Sequence, residues 1–84
     1  MNKILFKKKH HHCAICNEST YELLDVHRIN EGQEYSNGNC VVLCVSCHRK
    51  HHSGLIEIKE KRLSTNGWVL MYEENGKEII KELQ

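Results

Sequence analysis

Apolar and β-branched positions first gather in Leu23-Leu-Asp-Val-His-Arg-Ile29, which reads as a strand. Asn30 to Gly38 is polar and rich in glycine and asparagine, the composition of a loop. Asn39-Cys-Val-Val-Leu43 is a second short strand, and Val45 to about Ser53 is predicted to be a helix that stops at Gly54. Beyond it, Leu55-Ile-Glu-Ile58 alternates loosely. Asn66-Gly67 and Asn75-Gly76 are hairpin signals, because both residues of a type I′ turn need positive φ. They bracket Trp68-Val-Leu-Met-Tyr72, so residues 55–84 are expected to form an antiparallel β-meander packed on what precedes it. The piece Glu78 to Leu83 also suits a helical end. Residues 1–12 read as a basic arm, partly ordered at most.

Composition changes this picture in one respect. Eighty-four residues make one small domain, 39% hydrophobic, with Phe6, Tyr21, Tyr35, Trp68 and Tyr72 as its aromatics. A core this thin usually needs a staple. Five cysteines can supply it, and an odd number with paired C-x-x-C spacing suits metal better than disulfides. The basic start, Met1 to Lys9, lacks the apolar run of a secretory signal. No stretch approaches the roughly 20 apolar residues of a membrane span. The expectation is a cytoplasmic protein with reduced thiols and no membrane partner.

The formal charge of +1 gives no overall pull toward nucleic acid. Its distribution says more. Lys7 to Lys9 lead into His10 to His12, and Arg49, Lys50, Lys59, Lys61 and Arg62 follow the cysteine-rich region, while Glu73, Glu74, Glu78 and Glu82 lie late in the chain. Local patches can steer phosphate when the total is near neutral, although an ordinary mixed surface has the same charges.

Two constellations carry chemistry. Cys13-x-x-Cys16 and Cys44-x-x-Cys47 have the spacing of two zinc knuckles, and four thiolates make a closed structural site with no place for water. Cys40 is left over, inside an apolar strand, and suits a small buried hydrophobe. The second constellation is His27, Asn39, His48 and His52. His48 and His52 are four apart, so a helix points both from one face. With His27 they make a three-ligand set with open positions, as a catalytic metal requires. The plainer reading is a helix cap or a solvent-facing histidine.

These residues resemble the HNH endonuclease family. The resemblance rests on Cys13–Cys16, Leu24-Asp-Val-His-Arg-Ile29, Asn39-x-x-x-Leu43, Cys44-x-x-Cys47-His48 and His52, and covers residues 13–54. It implies a small α+β zinc-bound domain: a ββα-metal core over 13–54, followed by the β-meander. It further implies His27, His48 and His52 as ligands of a catalytic Mg²⁺ or other divalent ion, and Asn39 as the brace of the ββα loop and catalytic histidine. Cys13, Cys16, Cys44 and Cys47 fall on the structural Zn²⁺ site. The implied activity is metal-dependent hydrolysis of DNA phosphodiester bonds, as an endonuclease or nickase.

One position departs from the family pattern. The general base usually follows the first ligand directly, and here Arg28 follows His27. A guanidinium stays protonated and cannot serve as a base. Three readings stay open. His27 is the base and Asp25 assists the metal; or His51, one of His10 to His12 or a metal-bound hydroxide replaces the base; or cleavage is lost and Arg28 holds a phosphate. The alternative to an enzyme is therefore a weak or inactive zinc-stabilised nucleic-acid-binding module, alone or as a subunit of a larger complex. A zinc-stabilised protein-interaction subunit is the third. Arg28, Arg49 and Lys50 are the expected DNA contacts. Specificity would come from a homodimer or a larger assembly, since so small a core reaches few bases.

Overall fold

The computed structural model describes residues 1–83; Gln84, the last residue of the expected meander, lies outside them. Two helices and five strands follow in the order α1 (Lys3–Lys9), β1 (Leu24–Arg28), β2 (Cys40–Cys44), α2 (Val45–His52), β3 (Ile56–Ser64), β4 (Gly67–Glu74) and β5 (Lys77–Glu82). The result is a small α+β molecule with two sheets.

β1 and β2 form an antiparallel hairpin in which His27 faces Val41 and Arg28 faces Cys40. Both strands sit one residue inside or beyond their predicted bounds. Leu23 belongs to a single 3₁₀ turn before β1, and Asn39 precedes β2 in a turn. β2 is buried along its whole length, whereas β1 alternates until His27. Asp25 and His27 share a strand face by the two-residue period, and of the two His27 alone is buried.

α2 begins where β2 ends. Cys44 is its N-cap, with Sγ accepting from the Cys47 amide at 3.4 Å. At the other end, Gly54 has φ +85°. Its N–H donates to the His51 carbonyl, and the Leu55 N–H donates to that of Lys50. This is a Schellman closure, which needs a left-handed residue at that point. The eight-residue helix is thus fixed at both ends, and its histidines are held in place.

The meander forms a second sheet in the order β3-β4-β5. Its final segment, for which a helical end was open, is the strand β5. Asn75-Gly76 forms the expected turn, with φ +54° and +78° between the paired Glu74 and Lys77. The other asparagine-glycine pair behaves differently. Gly67 already pairs with Ser64, so the turn is Thr65-Asn66, and the Ser64 hydroxyl organises it by donating to the Gly67 carbonyl and accepting from the Asn66 amide. The side chain of a neighbour took over the work the sequence signal assigned to backbone preference.

The N-terminus departs most from expectation. The basic arm is a helix, α1, capped by the Asn2 side chain, which accepts from the amides of Ile4 and Leu5. Phe6 anchors it in the core. That core is continuous: Phe6, Leu24, Val41, Val42 and Leu43 meet Ile56, Leu70 and Tyr72 of the second sheet. Two lysines tie the second sheet to the rest of the chain, Lys61 Nζ donating to the Cys40 carbonyl of β2 and Lys81 Nζ to that of Ile15, in the turn between Cys13 and Cys16, both at 2.7 Å.

Candidate functional site

Cys13, Cys16, Cys44 and Cys47 come together with all four Sγ atoms within 4.8 Å of one another. The first pair lies in a turn after α1, and the second spans the end of β2 and the first turn of α2. Three of the four are buried and Cys16 is at the surface. No disulfide links them, and Cys40 lies outside the group, fully buried in β2. Without an ion the four thiols cannot all ionise. Burial raises the Cys13 thiol, but hydrogen bonds from the backbone of Cys16, Cys44 and Ile15 outweigh it and bring it below the usual thiol value. Burial raises Cys47 strongly, with the Cys13 charge adding to it, and burial also raises Cys16. One thiolate therefore suppresses its neighbours, which is the electrostatic situation a divalent cation relieves. The donor set fits a structural metal ion and is compatible with zinc.

The second cluster is larger than the sequence suggested. His48, His51 and His52 project from one face of α2, at the three- and four-residue spacing that makes helix neighbours. His27 on β1 meets them, with ring centroids 5.0 Å from His48, 4.7 Å from His51 and 6.3 Å from His52. His48 Nε2 and His52 Nε2 are 3.0 Å apart. Two neutral rings can share one proton across such a gap. It is also the separation that two metal–nitrogen bonds of about 2.1 Å span at roughly a right angle. His48 Nδ1 lies 3.8 Å from an Asp25 carboxylate oxygen. A carboxylate on that side favours a proton on Nδ1 and leaves Nε2 its lone pair, the usual orientation of a metal-binding histidine. Asp25 thus stands behind His48.

His27 is 6% exposed, and its Nε2 is the one buried side-chain nitrogen or oxygen among the described residues without a hydrogen-bond partner. Burial first, and then the nearby imidazoles of His51, His48 and His52, depress its pKa to about 4. At neutral pH the ring is uncharged. An unpartnered ring nitrogen in a buried site costs free energy unless something meets it. His27 is nevertheless set back from the other two: among the described residues, only the cysteines bring three or more ligand atoms within 4.8 Å of one another. His51 Nδ1 lies 3.3 Å from the Ile56 carbonyl. A carbonyl can only accept, so Nδ1 carries the proton and Nε2 is left free. Sequence reasoning weighed His51 only as a replacement base; its place in the same helical face was readable from its spacing.

Asn39, expected as the brace of the loop and of the catalytic histidine, is engaged with the loop. Its Oδ1 accepts from the Asn30 amide at 2.8 Å, and its Nδ2 donates to the carbonyls of Asn30 and Glu34, both at 2.9 Å. Its oxygen and both amide protons are engaged in bracing the loop between β1 and β2. Arg28 lines one cleft with His27, His48 and His52. It donates to the Gln33 carbonyl at 3.3 Å, and its guanidinium lies 4.7 Å from the centre of the Tyr35 ring. Arg49 is exposed on α2. Lys50, the other expected DNA contact, is drawn to the second sheet, with its Nζ 3.9 Å from a Glu74 carboxylate.

No helix of the described residues is long and apolar enough to cross a membrane. Comparison of the chain with protein-family models, curated proteins and solved structures gives no match.

Proposed function

We propose that the chain is a small metal-dependent DNA endonuclease or nickase of the HNH type, with a ββα-metal core held by zinc. The carrying observation is the orphaned Nε2 of buried His27 beside the converging Nε2 atoms of His48 and His52. In this reading Cys13, Cys16, Cys44 and Cys47 hold a structural Zn²⁺ that fixes β2 against the start of α2. His48 and His52 would hold Mg²⁺ or another divalent ion, with His27 completing the set by the lone pair that burial keeps unprotonated. Bound there, the ion would supply positive charge to the scissile phosphate and the leaving oxygen. Asp25 orients His48, and the Asn39 brace holds the loop that carries Tyr35 beside Arg28. Arg28 faces the phosphate as a fixed cation and takes no proton, so cleavage is expected to be slow.

Supercoiled plasmid incubated with Mg²⁺, Mn²⁺ or Ni²⁺ tests this directly. Nicking is expected, with at least a hundredfold loss in His48→Ala, and Arg28→His is expected to raise the rate at least tenfold by restoring a base, the lower end of general-base effects being about a hundredfold. Nicking that survives His48→Ala undiminished would overturn the assignment. A second reading is favoured by Arg28 itself: a module that binds DNA and does not cut it. Salt-dependent binding with no nicking under any ion would select that one.

A further inference from the structure

Two lysines of α1, Lys3 and Lys7, are held differently from the cations that form ion pairs. Lys3 and Lys7, four residues apart, point from one side of the helix. Lys3 Nζ lies 4.1 Å from the centre of the Tyr35 ring, and Lys7 Nζ lies 4.0 Å from that of Tyr21. Arg28 shares Tyr35 with Lys3. None of these three cations joins an ion pair among the described residues. The glutamates that pair with lysine or arginine are Glu57, Glu60, Glu73 and Glu74, all on the second sheet. A ring face holds a cation in position without neutralising its charge. The ion pairs of lysine and arginine thus gather on the second sheet and its contact with α2, whereas Lys3, Lys7 and Arg28 are held by ring faces and keep their charge.

Their placement has a direction. Lys3, Lys7 and Tyr21 line an open groove with Asp25, Val26 and His48. The next cleft shares Val26 and His48 and contains His27, Arg28, Tyr35 and His52. The groove thus leads from α1 to the histidines. Asp25 lines the same groove, with a carboxylate oxygen 3.8 Å from His48 Nδ1, and Glu31 lines the cleft that holds the histidines.

We propose that α1 is the substrate-tracking wall of the site: Lys3, Lys7 and Arg28 take neighbouring phosphates of one nucleic-acid strand and guide it toward His27, His48 and His52. Lys3 and Lys7 rise about 6 Å along the helix axis from one to the other, a step short enough for adjacent phosphates. The tyrosines are positioning residues, since they hold the cations extended before the strand arrives and so reduce the ordering cost of binding. This rests on the nuclease reading for the direction of the strand, while the binding itself can be measured without cleavage.

The test is fluorescence anisotropy of a short labelled DNA duplex, with no divalent ion added, across a salt series. Lys3→Gln/Lys7→Gln is expected to bind at least tenfold more weakly at low salt. The slope of log affinity against log salt should shrink by about 1.8, because each phosphate that a lysine neutralises adds about 0.9 to it. Lys3→Arg/Lys7→Arg keeps both charges and should keep the slope, and Lys77→Gln, on β5, should bind as the parent chain does. Tyr21→Leu/Tyr35→Leu retains every cation and should lose affinity at nearly unchanged slope. Parental zinc content in each variant certifies the fold. An unchanged slope in Lys3→Gln/Lys7→Gln, an equal loss in Lys77→Gln, or no binding by the parent chain would overturn the proposal, even if plasmid is nicked. Binding that behaves as expected without any nicking would leave this wall standing and remove only the cleavage chemistry.

Discussion

At the scale of single residues, the molecule spends stability on His27. A buried neutral imidazole with an unpartnered Nε2 is a local liability, and its titration makes that measurable. The folded pKa is about 4 against an ordinary value of 6.5, so between those values the unfolded chain binds more protons than the folded one. No penalty exists above pH 6.5, and it grows as the pH falls toward 4. The full shift corresponds to about 3 kcal/mol, of which about 2 kcal/mol is reached by pH 5. Denaturant unfolding of the parent chain and of His27→Gln at pH 7 and pH 5, without added divalent ion, isolates this part, because acid weakening of thiolate ligation is common to both. The parent is expected to lose about 2 kcal/mol more than the variant over that interval. Equal losses would mean that the ring is less buried than its 6% exposure indicates.

At the scale of elements, the hairpin and α2 are coupled through Cys44. This residue ends β2, accepts the Cys47 amide as the cap of α2, and belongs to the thiol cluster. Without a metal, the thiolate at this joint of two elements has no cation to balance it and its neighbours stay protonated, so they cannot act as ligands. Chelation by excess EDTA is expected to release one zinc per chain and to abolish the helical circular dichroism of α2, since structural zinc in small domains contributes folding free energy outright. Retention of cooperative unfolding after complete zinc loss would show that apolar packing alone holds the joint. Much of this was legible in the sequence. The paired C-x-x-C spacing announced the cluster, and Gly54 announced the end of α2, because each depends on chemistry local to a few residues. The Asn66-Gly67 turn was misplaced because the Ser64 hydroxyl decided it. α1 was missed because a seven-residue helix with one buried residue, Phe6, has no readable period. The loop that brings Tyr35 to Lys3 and Arg28 is set by Asn39 bonding back to Asn30 and Glu34, where the family resemblance, and not local pattern, put a brace; the path of Tyr35 toward those cations had no mark in the sequence.

At the scale of the whole molecule, all the candidate ligands, cysteine and histidine alike, lie before residue 55, yet the core that holds them does not. Ile56, Leu70 and Tyr72 are buried against the hairpin side, and Lys61 and Lys81 donate across to Cys40 and Ile15. A domain of this size has a total stability of roughly 4–13 kcal/mol. Leu70 is fully buried in the middle strand of the second sheet, so Leu70→Ala is expected to cost about 2–5 kcal/mol, a large share of that total. The same argument applies more strongly to a chain ending at Gly54. It keeps every cysteine and histidine, but exposes Val42 and Leu43 and frees the carbonyl of Cys40. That fragment is expected to bind zinc weakly, with poorly dispersed amide proton signals, whereas Leu70→Ala in the full chain should still fold, with a lower unfolding midpoint. A fragment of residues 1–54 with parental zinc affinity and dispersed signals would show that the cysteine cluster and hairpin form a self-sufficient unit, and that the second sheet serves something other than support.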